Sequence, residues 1–103
     1  MTQAQEQEFR RFLEGVKWHD NPLTEKAIES RVARVKKVKK VEQILNMDIE
    51  TIVAADATMR QALLDLRPGD TRRNRANAIR KYYEMRRGIV FPKIKDIEKG
   101  EED

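Results

Sequence analysis

Apolar residues return at three- and four-residue intervals along most of the chain, and no stretch alternates long enough to mark a buried strand. "QAQEQEFRRFLEGVKW" puts Phe9, Phe12, Leu13 and Val16 on one helical face, and Asn21 and Pro22 in "HDNP" break that pattern. Thr24 is the expected N-cap of a long second helix running to Leu45, with Glu25 suited to its first turn and "NMD" as the turn after it. Asp48 is placed to cap a short third helix carrying Ile49, Ile52 and Val53. Asp56 or Thr58 is placed to cap a fourth, with Met59, Leu63, Leu64 and Leu66. "RPGD" reads as a turn, and Asp70 or Thr71 then caps a last helix to residue 87, closed by Gly88. Only "GIVFP" looks extended, as a tail lying against the body. The pattern predicts an all-α chain, a compact bundle of four to five helices in one domain over residues 1–92. A charged, flexible tail over 93–103 is expected to follow.

The second helix carries an unusual seam. Val32, Val35, Val38 and Val41 recur every third residue in "RVARVKKVKKVEQIL". A helix turns about 100° per residue, so a strict three-residue repeat slips back by about 60° at each step. Ile28, Val32 and Val35 centre one stripe, and by Val38, Val41 and Leu45 it has rotated well around the helix. Such a seam suits different neighbours at its two ends, whereas a coiled-coil partner needs a spacing near 3.5.

Charge sharpens the picture. The 103 residues hold 22 basic and 18 acidic side chains, a net +4, but the two signs are segregated. Residues 24–45 hold seven basic against three acidic groups, and residues 67–87 hold eight against two. The segment between them, 46–66, holds one against four. On the second helix Arg34, Lys36, Lys37 and Lys40 stay largely outside the valine seam. On the last helix Ala76, Ile79, Tyr82 and Tyr83 form the expected buried side, while Arg73, Arg80 and Arg87 recur every seven residues, with Asn77 and Lys81 beside them. Lys and Arg neutralise phosphates, and Arg and Asn read guanine and adenine edges. The plainer alternatives are a solvated lysine face and an arginine helix paired to acids such as Asp56 or Asp65.

Four stretches together carry a resemblance: "TEKAIESRVARVKKVKKVEQIL", "DIETIV", "ALLDL" and "NRANAIRKYYEMRRG". Over about residues 5 to 90 the chain resembles the N-terminal core-binding domain of phage integrases and other tyrosine recombinases. The resemblance implies a SAM-like helical fold that forms one jaw of a clamp on double-stranded DNA. It also implies DNA contacts from Arg31, Arg34, Lys37 and Lys40 and from Arg73, Asn77, Arg80 and Lys81. The "VKK" repeat departs from the family's spacing. The family's catalytic domain, with its arginines, lysine, histidines and tyrosine nucleophile, is not expected within these 103 residues.

The remaining chemistry is sparse. With no cysteine and one histidine, His19, neither a metal constellation nor a nucleophile-base pair can be assembled, so no catalytic or metal site and no cofactor is expected. "RPGDT" lacks the glycines and the Lys-Ser or Lys-Thr of a phosphate loop. The N-terminus has no apolar leader and no run is long enough to span a membrane, which makes the cytoplasm the expected location. The sequence therefore leads to a non-enzymatic DNA-binding module of the DNA integration and recombination class, with a recombinase catalytic domain or another protein as further partner. The alternative is a small phage or mobile-element regulator that binds an acidic protein. RNA binding is weaker, because only Trp18, Tyr82 and Tyr83 offer stacking surfaces.

Overall fold

In the computed structural model, residues 1–15, 25–66, 69–93 and 95–97 are described, with the side chains of 25–28, 30 and 70 set aside. The expected Thr24 cap, the helix end near His19 and the side chain of Ile28 lie outside the described residues. Five helices follow one another: α1 (Gln3–Gly15), α2 (Glu25–Leu45), α3 (Ile49–Val53), α4 (Asp56–Asp65) and α5 (Asp70–Arg87). A final helical turn covers 95–97, and no strand occurs among the described residues. The all-helical expectation holds.

Local chemistry explains where each helix begins and ends. Thr2 and Gln5 form a capping box: Thr2 Oγ1 accepts the Gln5 amide at 3.1 Å and Gln5 Oε1 accepts the Thr2 amide at 2.8 Å. α2 ends at Asn46, whose φ of 51° is left-handed, and the Met47 amide reaches back to the Glu42 carbonyl at 3.1 Å, which closes the helix as a Schellman turn does. Gly88 also ends α5 in a left-handed conformation, φ 72°, but with the simpler αL closure in which its own amide donates to the Glu84 carbonyl.

Three expected caps are corrected. Asp48 precedes α3 but makes no side-chain cap bond; Glu42 Oε2 of α2 accepts the Ile49 amide instead, at 2.9 Å. Ala55, not Asp56 or Thr58, occupies the N-cap of α4, and the Asp56 carboxylate turns to Tyr83. Gly69 precedes α5, with φ 133°, a conformation that suits glycine, so the helix starts at Asp70.

Val35, Val38 and Val41 are all buried, and α2 packs on α5, α1 and α3, so the drifting seam does meet several neighbours. Phe9 and Leu13 of α1, Ile49, Ile52 and Val53 of α3, and Met59 and Leu63 of α4 complete the core around Ile79, Tyr82 and Tyr83. Phe9 meets Tyr82 edge-on at 5.2 Å, and Phe91 meets Tyr83 likewise at 4.9 Å. The packed body continues past Pro92. Ile97 is only 7% exposed, and 98–103 lie outside the described residues.

Candidate nucleic-acid interface

Because α2 and α5 pack together, the two basic segments become neighbours in space. Arg34 of α2 lines a cavity of about 210 Å³ with Asn77, Arg80, Lys81 and Glu84 of α5 and with Val90. Asn77 also lines a larger cavity of about 480 Å³, with Arg72, Arg73, Ala76 and Gly69 on one side and Lys93 and Lys95 on the other. The two hollows thus adjoin through Asn77, and among their described lining residues seven arginines or lysines stand against one carboxylate, Glu84.

That carboxylate is engaged, since Lys81 Nζ lies 3.1 Å from Glu84 Oε2. Arg80 is engaged too. Its Nε and Nη2 donate to the Phe91 carbonyl at 2.9 and 2.7 Å, and its Nη1 donates to Asn77 Oδ1 at 3.1 Å. The residues that sequence reasoning chose for reading base edges are therefore bonded to each other and to the backbone. Burial draws the guanidinia of Arg34 and Arg80 below the ordinary arginine range, an effect that Glu84 and Asp96 oppose at Arg80.

The other expected contacts divide. Arg31 turns to α1, 3.2 Å from Glu14 Oε1. Lys37 stands one turn beyond Arg34 on nearly the same face, while Lys36 and Lys40 lie about 200–240° round from it, pointing away from the core and from α5. Both are exposed. Arg73 is exposed and forms no ion pair with a described residue. Arg87 donates to the Ala54 carbonyl at 2.8 Å and lies 3.8 Å from Asp56 Oδ1, over the Tyr83 ring. The structure thus brings Arg34, Asn77, Arg80 and Lys81 together near Arg73, and does not bring Arg31, Lys36, Lys40 or Arg87 to them.

Sequence reasoning missed Arg72, Lys93, Lys95 and Arg86. The signal for the lysines was the pair of apolar residues that flank them, Phe91 and Ile97, which fasten their segment to the body. Arg72 was hidden by its neighbours; its Nη2 is 3.4 Å from the Leu63 and Leu64 carbonyls at the end of α4. Arg86 serves the fold. It bridges Glu8 of α1 and Glu50 of α3, with Nη2 2.7 Å from Glu50 Oε1, and also donates to the Tyr82 hydroxyl.

Together these features define an all-helical protein with a concave cationic face. No protein-family model matches the chain, and searches of curated proteins and of solved structures return no match. Among the described residues no cluster of His, Cys, Asp or Glu could hold a metal ion, and no helix is long and apolar enough to cross a membrane.

Proposed function

We propose that the chain is a non-catalytic DNA-binding module that lays the α2–α5 face on duplex DNA, in the manner of the recombinase core-binding domains its sequence resembles. The observation that carries this reading is the hollow face itself, where Arg34 of α2 and Arg72, Arg73 and Lys81 of α5 are joined by Lys93 and Lys95. With Arg80 turned to Phe91, this face contributes charge more than a free fork for base edges. Phosphate contacts then dominate, and sequence preference is weak.

The test is fluorescence anisotropy of the chain with a random duplex of ~30 bp across ~50–200 mM salt. Saturable binding with a steep negative salt slope is expected, and Arg73→Glu with Lys93→Glu should remove it while the helical circular dichroism stays unchanged. Arg80→Glu is a poor probe, because it would also release Phe91. No binding at the lowest salt would overturn the proposal.

A second reading, docking of an acidic protein, draws on Ile89 and Val90, which are 57% and 67% exposed beside the Arg34 hollow. An apolar pair rimmed by cations suits a protein surface. Replacing both residues by Ser should leave duplex affinity intact if DNA alone is the partner.

A further inference from the structure

The larger hollow has a property that a duplex backbone does not require. It is a concavity of about 480 Å³, within the size range of sites that enclose a small molecule. Arg72, Arg73, Lys93 and Lys95 line it, and no carboxylate stands among its described lining residues. Several cations elsewhere are tied to acids: Arg31 to Glu14, Lys39 to Glu6, Lys81 to Glu84, and Arg86 to Glu8 and Glu50. Others without a described ionic partner, such as Lys36 and Lys40, stand on an exposed face outside this hollow. Arg73, Lys93 and Lys95 form no ion pair with any described residue. Like charges gathered in one hollow repel each other, so a bound anion relieves a cost that the fold otherwise carries.

Part of the site is also fixed before any ligand arrives, one guanidinium by hydrogen bonds and the backbone that carries the lysines by its anchors. Arg72 is held at the end of α4 by the Leu63 and Leu64 carbonyls. Lys93 and Lys95 sit between the buried anchors Phe91 and Ile97. Asn77 gives its oxygen to Arg80, which leaves its amide NH₂ to donate. Preorganised donors lose less on binding. No aromatic ring stands among its described lining residues, so none of these would stack on a nucleobase.

We infer that this hollow binds a chain of three or more phosphates, read through its charge, whether the source is inorganic polyphosphate or the triphosphate of a nucleotide. Because Arg73 and Asn77 also belong to the proposed DNA face, a bound polyphosphate displaces duplex. The site itself does not depend on duplex binding.

The experiment is isothermal titration calorimetry of the full chain with sodium tripolyphosphate, ATP and orthophosphate at ~100 mM salt, where exposed charges are well screened. One-to-one binding of tripolyphosphate is expected, with orthophosphate at least about tenfold weaker, since it reaches fewer of the cations. Lys93→Ala with Lys95→Ala should weaken it about tenfold or more. Lys36→Ala with Lys40→Ala, removing equal charge from the far side of α2, should change it less than about twofold. Tripolyphosphate at or below the dissociation constant of ATP assigns the inorganic chain, and ATP tighter by up to a few fold assigns the nucleotide; both uphold the site. Absence of saturable tripolyphosphate binding, ATP binding alone, or equal losses in the two double variants would each overturn it. Since no duplex is present, failure here is distinct from failure of the DNA reading.

Discussion

The two ends of α5 are equally rich in arginine and are used in opposite ways. At the C-terminal end Arg86 bridges Glu8 and Glu50, and Arg87 reaches Ala54 and Asp56. At the N-terminal end Arg73 faces Lys93 and Lys95 across a hollow without a carboxylate among its described lining residues. The difference lies in what each end packs against. The acidic 46–66 segment supplies Glu50 and Asp56 to one end, while the other meets the lysines that follow Pro92. An arginine stripe on a helix is therefore neither an interface nor a brace until its neighbours are known.

The largest effect should come from breaking the braced end. Arg86→Ala removes the bridge among α1, α3 and α5 and leaves Glu50 and the Tyr82 hydroxyl without their shared donor. Arg86 and Glu50 keep about a third or less of their exposure, 27% and 35%, so solvent screens part of the loss. A destabilisation of about 1–3 kcal/mol is expected in urea unfolding. A change under about 0.5 kcal/mol would mean that the arginine is an ordinary surface group.

Much of the fold was legible because apolar spacing alone identifies helices and their inward faces. Phe9, Leu13, Ile49, Ile52, Met59, Leu63, Ile79, Tyr82 and Tyr83 are buried as that spacing predicts. Caps were less legible. Asp48 and Asp56 have the right chemistry at the right place, but Glu42 and Tyr83, distant in sequence, decide how those ends are satisfied. The Thr2–Gln5 capping box, by contrast, is local and is spelled out in the sequence as "TQAQ". At the candidate site, charge segregation located the basic helices but could not tell Arg80, bonded to a carbonyl, from Arg73, which is open. Pairing across 11 residues, as between Arg80 and Phe91, depends on how a loop folds back and leaves no mark in periodicity.

A smaller effect concerns the tyrosine beneath the brace. Burial first, and then its hydrogen bond to the Glu50 carboxylate, push the Tyr82 hydroxyl well above the ordinary tyrosine range. Tyr83, bonded to Asp56, is raised as well. A raised folded-state value gives stability that is complete below the unfolded tyrosine value of about 10 and is lost as pH climbs above it. Urea unfolding between pH 8 and 11 should therefore show stability falling above about pH 10. Tyr82→Phe should lose about 1 kcal/mol at neutral pH and fall less steeply above it, with Tyr83 keeping part of the slope. Parallel curves for the two proteins would remove Tyr82 as the cause.

The smallest effect on the fold belongs to the open end, and it is the most telling for function. Arg73 is exposed and has no described ionic partner, so Arg73→Ala should leave stability within about 0.5 kcal/mol. If the residue sits against a phosphate, the same change should lower the slope of log affinity against log salt by about one for a duplex. Arg87→Ala, at the other end, should leave that slope alone, because Arg87 is committed to Ala54 and Asp56. Measuring both slopes in one set of titrations separates the ends directly. Equal slopes for the two variants would mean that DNA does not distinguish them, and the contrast between the open and the braced end would then be structural alone.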